Sequence, residues 1–402
     1  MNRPAAALCA IAGALGLAAL AACTTMTAPG GENLHGSLLT LDTHLDTPVH
    51  FARAGWSFGD RHSYANDLAQ LDIPRMADGN LDGGFFVIFT DQGPLTKAGY
   101  AAARGFALHR SGEIDKTIGR FASRIGLART AGDARRLDAA GKLIAFKSIE
   151  NSYPLGEDLS LLAVFYRLGV RLAGPIHSSN NQFGDSATDK PRWNGLSPLG
   201  VRWVAEMNRL GMVIDASHAS DAAFDQMLSL SKTPLLLSHS GARAVFDHPR
   251  NIDDARIRKV AAAGGAVCFT SIYLSDLNMT PERAEVFGKH DEIGRMSPPE
   301  QADLTARTRA LDARQPMWSA NFETYMAGLL HVIKVAGVDP VCFGADWDGG
   351  GGVAGLDDIT GHPKITAALK ATGYSDADLA KMWSGNVLRI LSAAENYASA
   401  RR

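Results

Sequence analysis

The chain has only four cysteines in 402 residues. Cys9 and Cys23 fall in the first segment. Cys268 and Cys342 sit in apolar runs, where they are expected as buried core residues rather than as a disulfide or a metal pair. No thiolate metal site is therefore expected. Charge of one sign is not in excess either. The formal net charge is -2 and there is no basic run, which removes the electrostatic footprint of nucleic-acid binding. No Gly-rich phosphate loop follows the first strand-like run, so no nucleotide site is indicated. Past the leader no apolar run reaches membrane-spanning length. What is present is 46% hydrophobic content, ample for a large core.

The first residues read as a targeting segment. Arg3 gives a positive start, and Ala5 to Ala22 is almost wholly Ala, Leu, Gly and Ile. Leu20-Ala-Ala-Cys23 resembles a bacterial lipoprotein lipobox, in which the cysteine is lipidated and begins the mature chain. The residues after it, Thr24-Thr25, lack the Asp that signals inner-membrane retention. The expectation is a signal peptide over 1–22, a lipid on Cys23, a flexible tether over 23–33 and a catalytic domain over 34–402. That places an exported lipoprotein at the periplasmic face of the outer membrane, held there by its anchor.

Short apolar runs alternate with amphipathic stretches from there on. Strands are predicted at 38–43, 84–89, 143–146, 171–175, 212–215, 234–237, 266–270 and 341–344. Helical patterns lie between them, at 159–168, 198–210, 221–230, 253–263 and 321–336. Gly169, Gly211, Gly264 and Gly337 stand where helices end, and Asp221 and Asp253 stand where they start. Eight strands alternating with helices predict a (β/α)8 barrel, a doubly wound open sheet being the alternative. Two segments exceed what a simple βα unit needs. Residues 90–142 are expected to hold extra helices, and the Met-rich stretch 271–315 a helical insertion or lid.

The residues that follow these strands carry the chemistry. His44 and Asp46 follow the first, Glu150 the third, His177 the fourth, His218 the fifth and His239 the sixth. Arg250 comes shortly after, and Asp346 follows the eighth. In a barrel the C-terminal strand ends converge on one face. Imidazoles, carboxylates and an arginine in one bowl fit metal-assisted hydrolysis, with zinc suited to these donors. Five candidate ligands, His44, Asp46, Glu150, His218 and His239, exceed the three of a mononuclear catalytic site and point to two metals. Glu150 can bridge them, one oxygen to each. Lys147 is three residues earlier and belongs on the opposite strand face.

Five motifs, in order, carry a family resemblance: Asp42-Thr-His44-Leu-Asp46-Thr-Pro48, Asp215-Ala-Ser-His218-Ala, Ser238-His239-Ser240, Arg250-Asn251-Ile-Asp253-Asp254 and Gly344-Ala-Asp346-Trp-Asp348-Gly349. The chain resembles the membrane dipeptidase (renal dipeptidase) family of zinc peptidases from Leu38 to about Leu391. The resemblance implies hydrolysis of dipeptides, L-Xaa-D-Xaa included, by two zinc ions. One zinc is then held by His44, Asp46 and Glu150, the other by Glu150, His218 and His239. It further implies that His177 contacts the scissile group, that Arg250 binds the substrate carboxylate and that Asp346 shuttles the proton. A homodimer is common in that family. This chain departs from the pattern at Asn151-Ser152, where glycines often follow the bridging glutamate.

Other residues are read more plainly. His35, His109, His290, His331 and His362 are assigned no site role, nor are His50, His62 and His248. Asp348 is read as a loop residue or a support behind the ligands, rather than as a ligand. Asn151, Tyr153, Asn180, Trp56 and Phe58 are candidates to line the pocket. A deacylase or lactonase on the same barrel, or a non-catalytic metal-binding lipoprotein, are the competing readings.

Overall fold

A computed structural model describes residues 34–401. The signal peptide, the tether and Cys23 lie outside the described residues.

The described residues contain nine strands: β1 (Leu41–Leu45), β2 (Gly83–Phe89), β3 (Ile125–Leu127), β4 (Leu143–Glu150), β5 (Val170–Ala173), β6 (Val213–Ile214), β7 (Leu236–Ser240), β8 (Ala266–Phe269) and β9 (Val341–Phe343). Every strand pairing is parallel, and the fold is α/β. One sheet runs β1-β2-β4-β5-β6 and the other β7-β8-β9. All eight expected strands are present. The unexpected one, β3, lies in the long 90–142 segment between helices Lys97–Arg120 and Ala131–Ala139, and pairs with the start of β4. A three-residue strand is too short to show a periodicity in sequence.

The strands are buried along almost their whole length, as both faces of a helix-covered parallel sheet require. One apolar cluster draws on every strand except β3. It includes Leu41, Phe85, Phe146, Leu172, Val213, Leu236, Cys268 and Cys342, and is covered by Val387, Leu388 and Leu391 of helix Asn386–Ser399. A second cluster, with Phe86, Ile88, Ala145 and Ile149, takes the alternate residues and packs against the helices.

Local signals explain the helix limits. Ser197 caps Pro198–Leu210 by accepting from the Gly200 amide, with Pro198 at the first turn. Gly211 ends it at φ 78°, and a Cβ there would meet the Ala398 Cβ at 2.9 Å. The cap of Asp221–Leu230 is Ser220, one residue before the expected Asp221, because the hydroxyl reaches the Ala223 amide. The 271–315 insertion folds as two helices, Pro281–His290 and Pro298–Arg314. No described helix is long and apolar enough to cross a membrane.

One expectation is corrected. Cys268 and Cys342 are buried as foreseen, but they are register partners on β8 and β9 and are joined as a disulfide. The barrel reading makes these consecutive strands neighbours, but the 74-residue separation hides the register that sets the two cysteines opposite each other. A crosslink closing a loop of that size contributes about 4 kcal/mol in the chain-entropy account. Replacing both cysteines by alanine should lower the unfolding free energy by about that amount in a denaturant titration. A loss under about 1 kcal/mol would show that the crosslink adds nothing to stability.

Candidate active site

Local irregularities aim the site residues. Between Asp42 and Leu45, β1 carries one residue more than the stretch of β2 beside it; β7 does the same against β8 between Leu237 and Ser240. Such bulges re-aim side chains, here at His44 and at His239. Strand β1 ends at Leu45, so Asp46 lies just beyond the strand. It bends the chain at φ -82°, ψ 6° into the turn Thr47–His50 and still reaches His44. Glu150 ends β4. The next residue, Asn151, takes φ 69°, a left-handed conformation that asparagine tolerates better than most residues. That accounts physically for asparagine where glycines often stand. Lys147 points away from the site, to Ser111, Asp115 and the Leu168 carbonyl.

Four imidazoles stand around Glu150, and two further carboxylates stand by one of them. Glu150 Oε2 lies 3.4 Å from His44 Nε2. Its Oε1 lies 2.8 Å from His218 Nε2 and 3.4 Å from His239 Nε2. Asp46 Oδ2 and Asp346 Oδ1 are 3.3 and 3.6 Å from His44 Nε2. Three groupings have mutually close ligand atoms: His44 with Asp46 and Glu150; Glu150 with His218 and His239; and His44 with His239 and Asp346. His177 stands 3.7 Å from Glu150 Oε1 and is 28% exposed, against 1% for His239, so it faces the cavity rather than the centre.

Asp215 and Ser238 orient this set. Ser238 Oγ donates to Asp215 Oδ2 at 2.5 Å and lies 2.8 Å from His239 Nδ1. A hydroxyl has one proton, so His239 Nδ1 must donate to it, and His239 Nε2 is left with a bare lone pair. That lone pair faces His218 Nε2 at 2.9 Å, while buried His44 Nε2 has no hydrogen-bond partner. Converging lone pairs and carboxylate oxygens in a buried space fit a divalent cation, and the imidazole and carboxylate donors suit zinc.

The charges agree. Burial alone would raise Glu150, but the nearby His44 and His177 and the hydrogen bond from His218 carry it well below 4.5. Burial drives His218 and His239 well below 6.5, so both are neutral. Burial, with the carboxylates of Asp46 and Glu150, holds Asp346 well above 3.8 against the pull of His44. Burial would lower His44, yet Glu150 and Asp46 hold it well above 6.5.

The cavity over this centre has a volume of about 160 Å³. Its walls include Asp46, Glu150, His177, His218, His239 and Asp346; among these, Glu150 is in contact with His44 and His218 with Arg250. Arg250 is buried, donates to the Ser217 carbonyl, and has Nη2 3.1 Å from His218 Nε2.

The sequence pattern of the family described as "Membrane dipeptidase (Peptidase family M19)" matches residues 31–402. The chain belongs to this family. It is thereby a metallopeptidase, a hydrolase of peptide bonds. Dipeptidase tcpJ of Claviceps purpurea (strain 20.1) is 29% identical over 371 residues, covering 90% of this chain and 78% of that protein. The probable dipeptidase PvdM from Pseudomonas aeruginosa has a TM-score of 0.78 at 29% identity, over 92% of this chain and 98% of that one. A metallo peptidase from Rhodobacter sphaeroides, solved with a phosphinate mimic of the dipeptide L-Ala-D-Ala, has a TM-score of 0.70 at 26% identity, over 89% and 99%.

Several lesser expectations of this dipeptidase-family chain are corrected. Trp56 and Phe58 do not line the cavity. They are buried with Phe51, Phe86, His50 and His62 in an aromatic cluster. Asn151 and Tyr153 bond to the Thr90 and Pro94 carbonyls, and Asn180 to the Lys190 carbonyl. Asp348 is a loop residue as read, holding Thr47 and the Gln70 amide at 2.6 Å each. His290, given no role, lines the cavity together with Phe287 and Asp291. The available signal was the oversized insertion, which did not show which of its residues turn inward.

Two outcomes test the site. In the metal-free protein His44 is protonated near pH 7, and a metal needs it neutral, so uptake must expel that proton and affinity must rise with pH until the raised His44 pKa is passed. Calorimetry in buffers of different ionisation enthalpy should show about one or more protons released per chain at pH 7; zero net release would contradict it. Secondly, a Cβ at Gly349 would overlap Asp46 Oδ2 and meet Asp346 Oδ1 at 2.6 Å. Gly349→Ala should therefore lower metal content and activity with thermal stability little changed, and full metal loading would count against that steric account.

Proposed function

We propose that the chain is a binuclear zinc dipeptidase cleaving dipeptides with a free C-terminal carboxylate, L-Xaa-D-Xaa substrates included. The observation that carries this is Glu150, whose two oxygens face different ligand groups, Oε2 toward His44 and Oε1 toward His218 and His239. One zinc is assigned to His44, Asp46 and Glu150, the other to Glu150, His218 and His239. The scaffold is read as a closed (β/α)8 barrel. Support for closure comes from parallel bridges at both seams between the sheets, Asp215 with Leu236 and Leu45 with Trp347. The L-Xaa-D-Xaa assignment draws on the ligand of the Rhodobacter sphaeroides protein.

When bound, paired zinc ions supply Lewis acidity and a water acidic enough to attack near neutral pH. Asp346 accepts the proton of the attacking water and returns it to the leaving amine. It is held at φ 67°, a strained conformation fixed by the surrounding loop. His177 donates toward the oxyanion developing on the scissile carbonyl. Arg250 pairs with the substrate carboxylate. Among the described residues no carboxylate lies within ion-pairing distance of it, and its buried Nε has no partner. An unpaired buried guanidinium favours an anion. His218 Nε2 cannot serve both metal and arginine, so loading frees Arg250 Nη2 from that one contact. The 160 Å³ cavity, below the size of common drug-like pockets, suits a small substrate.

From sequence alone we also infer removal of residues 1–22 and lipidation of Cys23, with the protein at the periplasmic face of the outer membrane; the intact mass of the exported protein tests this.

Asp346→Asn should lower kcat at least about a hundredfold with two metals per chain retained; near-normal turnover would remove its role. Arg250→Met should raise KM for dipeptides about ten- to hundredfold, and amidating the substrate carboxylate should harm the wild type but not the variant. Equal harm to both would remove the clamp.

A further inference from the structure

The insertion puts an acidic group into the cavity that no step above uses. Asp291 follows helix Pro281–His290, and its side chain lines the cavity with Phe287 and His290. Among the described residues it makes no side-chain hydrogen bond and no ion pair. Its neighbour Arg110 is committed to the Pro48 carbonyl and stacks 5.1 Å over Phe106.

The position of Asp291 is built rather than incidental. Two residues on, Ile293 is fully buried in an apolar cluster with Val49, Leu68, Val286, Leu304 and Leu311. That cluster ties both insertion helices to the segments after β1. Gly294 approaches so closely that a Cβ would lie 3.1 Å from the Val49 carbonyl oxygen. Arg53 to Gln301 at 3.2 Å and Tyr64 to Asp312 at 3.0 Å add polar ties across the same contact. The acid is thus held over the β1–β2 side of the bowl.

Its surroundings favour a cation. Burial and the negative charges of Asp91 and Asp46 push the Asp291 carboxyl up to about 7, against the pull of Arg110. A carboxylate in the cavity wall with no hydrogen-bond or ion-pair partner is open to a positive ligand. Arg250 occupies the other side, against Ser217, His218 and His239 beyond β6 and β7. Glu150 is close enough to both to act on each electrostatically. The bowl therefore has an unpaired cation at one side and an unpaired anion at the other.

A dipeptide has the reverse polarity, with a carboxylate one residue beyond the scissile bond and an ammonium one residue before it. We propose that Asp291 binds the substrate's free α-ammonium group and makes the enzyme select substrates with an unblocked N-terminus. This rests on the dipeptidase reading and adds to it the recognition of the second terminus. The insertion then supplies a specificity residue, with Phe287 beside it toward the first side chain.

The test compares L-Ala-D-Ala with N-propionyl-D-Ala, which lacks only the amino group, on metal-loaded enzyme. The wild type should prefer the free amine in kcat/KM by about ten- to hundredfold, the range of a charge-assisted hydrogen bond. In Asp291→Asn the loss should fall mainly on L-Ala-D-Ala, through KM, so that the preference collapses, with metal content intact. Asp291→Glu, which keeps the charge, should retain most of the preference and serves should the asparagine variant fold poorly. An undiminished preference in Asp291→Asn, an equal loss on both substrates, or a wild type indifferent to the amine would each overturn the assignment while leaving dipeptide hydrolysis standing. No hydrolysis of any dipeptide by the wild type would overturn the dipeptidase reading itself, and this assignment with it.

Discussion

Everything at this site depends on one buried carboxylate that cannot be satisfied by hydrogen bonds alone. Glu150 sits among His44, His177, His218 and His239, with Asp46 and Asp346 close behind. Two of these imidazoles are driven neutral by burial and a third is held protonated by its acidic neighbours. So many donors and acceptors at this density would be costly to bury without a counter-ion. The arrangement makes physical sense as a cation site first and as a proton-transfer site second.

The fold sustains that density at its two weakest places. The sheets β1-β2-β4-β5-β6 and β7-β8-β9 meet at seams with few ladder bonds, between β6 and β7 and between β9 and β1. At each seam a buried aspartate takes amides from both sides. Asp215 accepts from the Ser217 and Ser238 amides at 3.0 Å each. Asp42 accepts from the His44 amide at 2.9 Å and the Ala345 amide at 3.1 Å. These are the segments that carry His218, His239, His44 and Asp346. The carboxylates thus replace missing ladder bonds and fix the ligand-bearing ends in one act.

Most of this was legible in the sequence because the candidate site residues follow strands, and strands announce themselves as short apolar runs. The eight expected strands and the convergence of His44, Asp46, Glu150, His177, His218, His239 and Asp346 came from that rhythm. Two kinds of information did not. One was the register between strands, which set Cys268 opposite Cys342 and put Asp215 against Ser238 at the β6–β7 seam. The other was the inward face of the insertion. Its helix Pro281–His290 buries Arg283 and Val286 but shows no strong apolar stripe, so nothing in its sequence marked His290 and Asp291 as cavity residues. Trp56 and Phe58 failed for the opposite reason, since aromatic residues near a site in sequence are as well used for packing the loop as for meeting a ligand.

On the proposed reading, substrate length follows from where the charges are fixed. Arg250 is positioned by the loop after β7 and by carbonyls of Ser217 and His239, and Asp291 by an apolar cluster rooted in Val49 and Leu68. Neither anchor belongs to the metal-ligand set, yet both flank it. A tripeptide that seats its carboxylate on Arg250 moves its ammonium a residue further out. Seating the ammonium on Asp291 moves the carboxylate off the arginine instead. Either way one buried charge stays unpaired, and the cost of that exceeds what the extra residue gains in contact. Selection of dipeptides is then a property of two rigid charges near Glu150, and it requires no closing motion of the insertion.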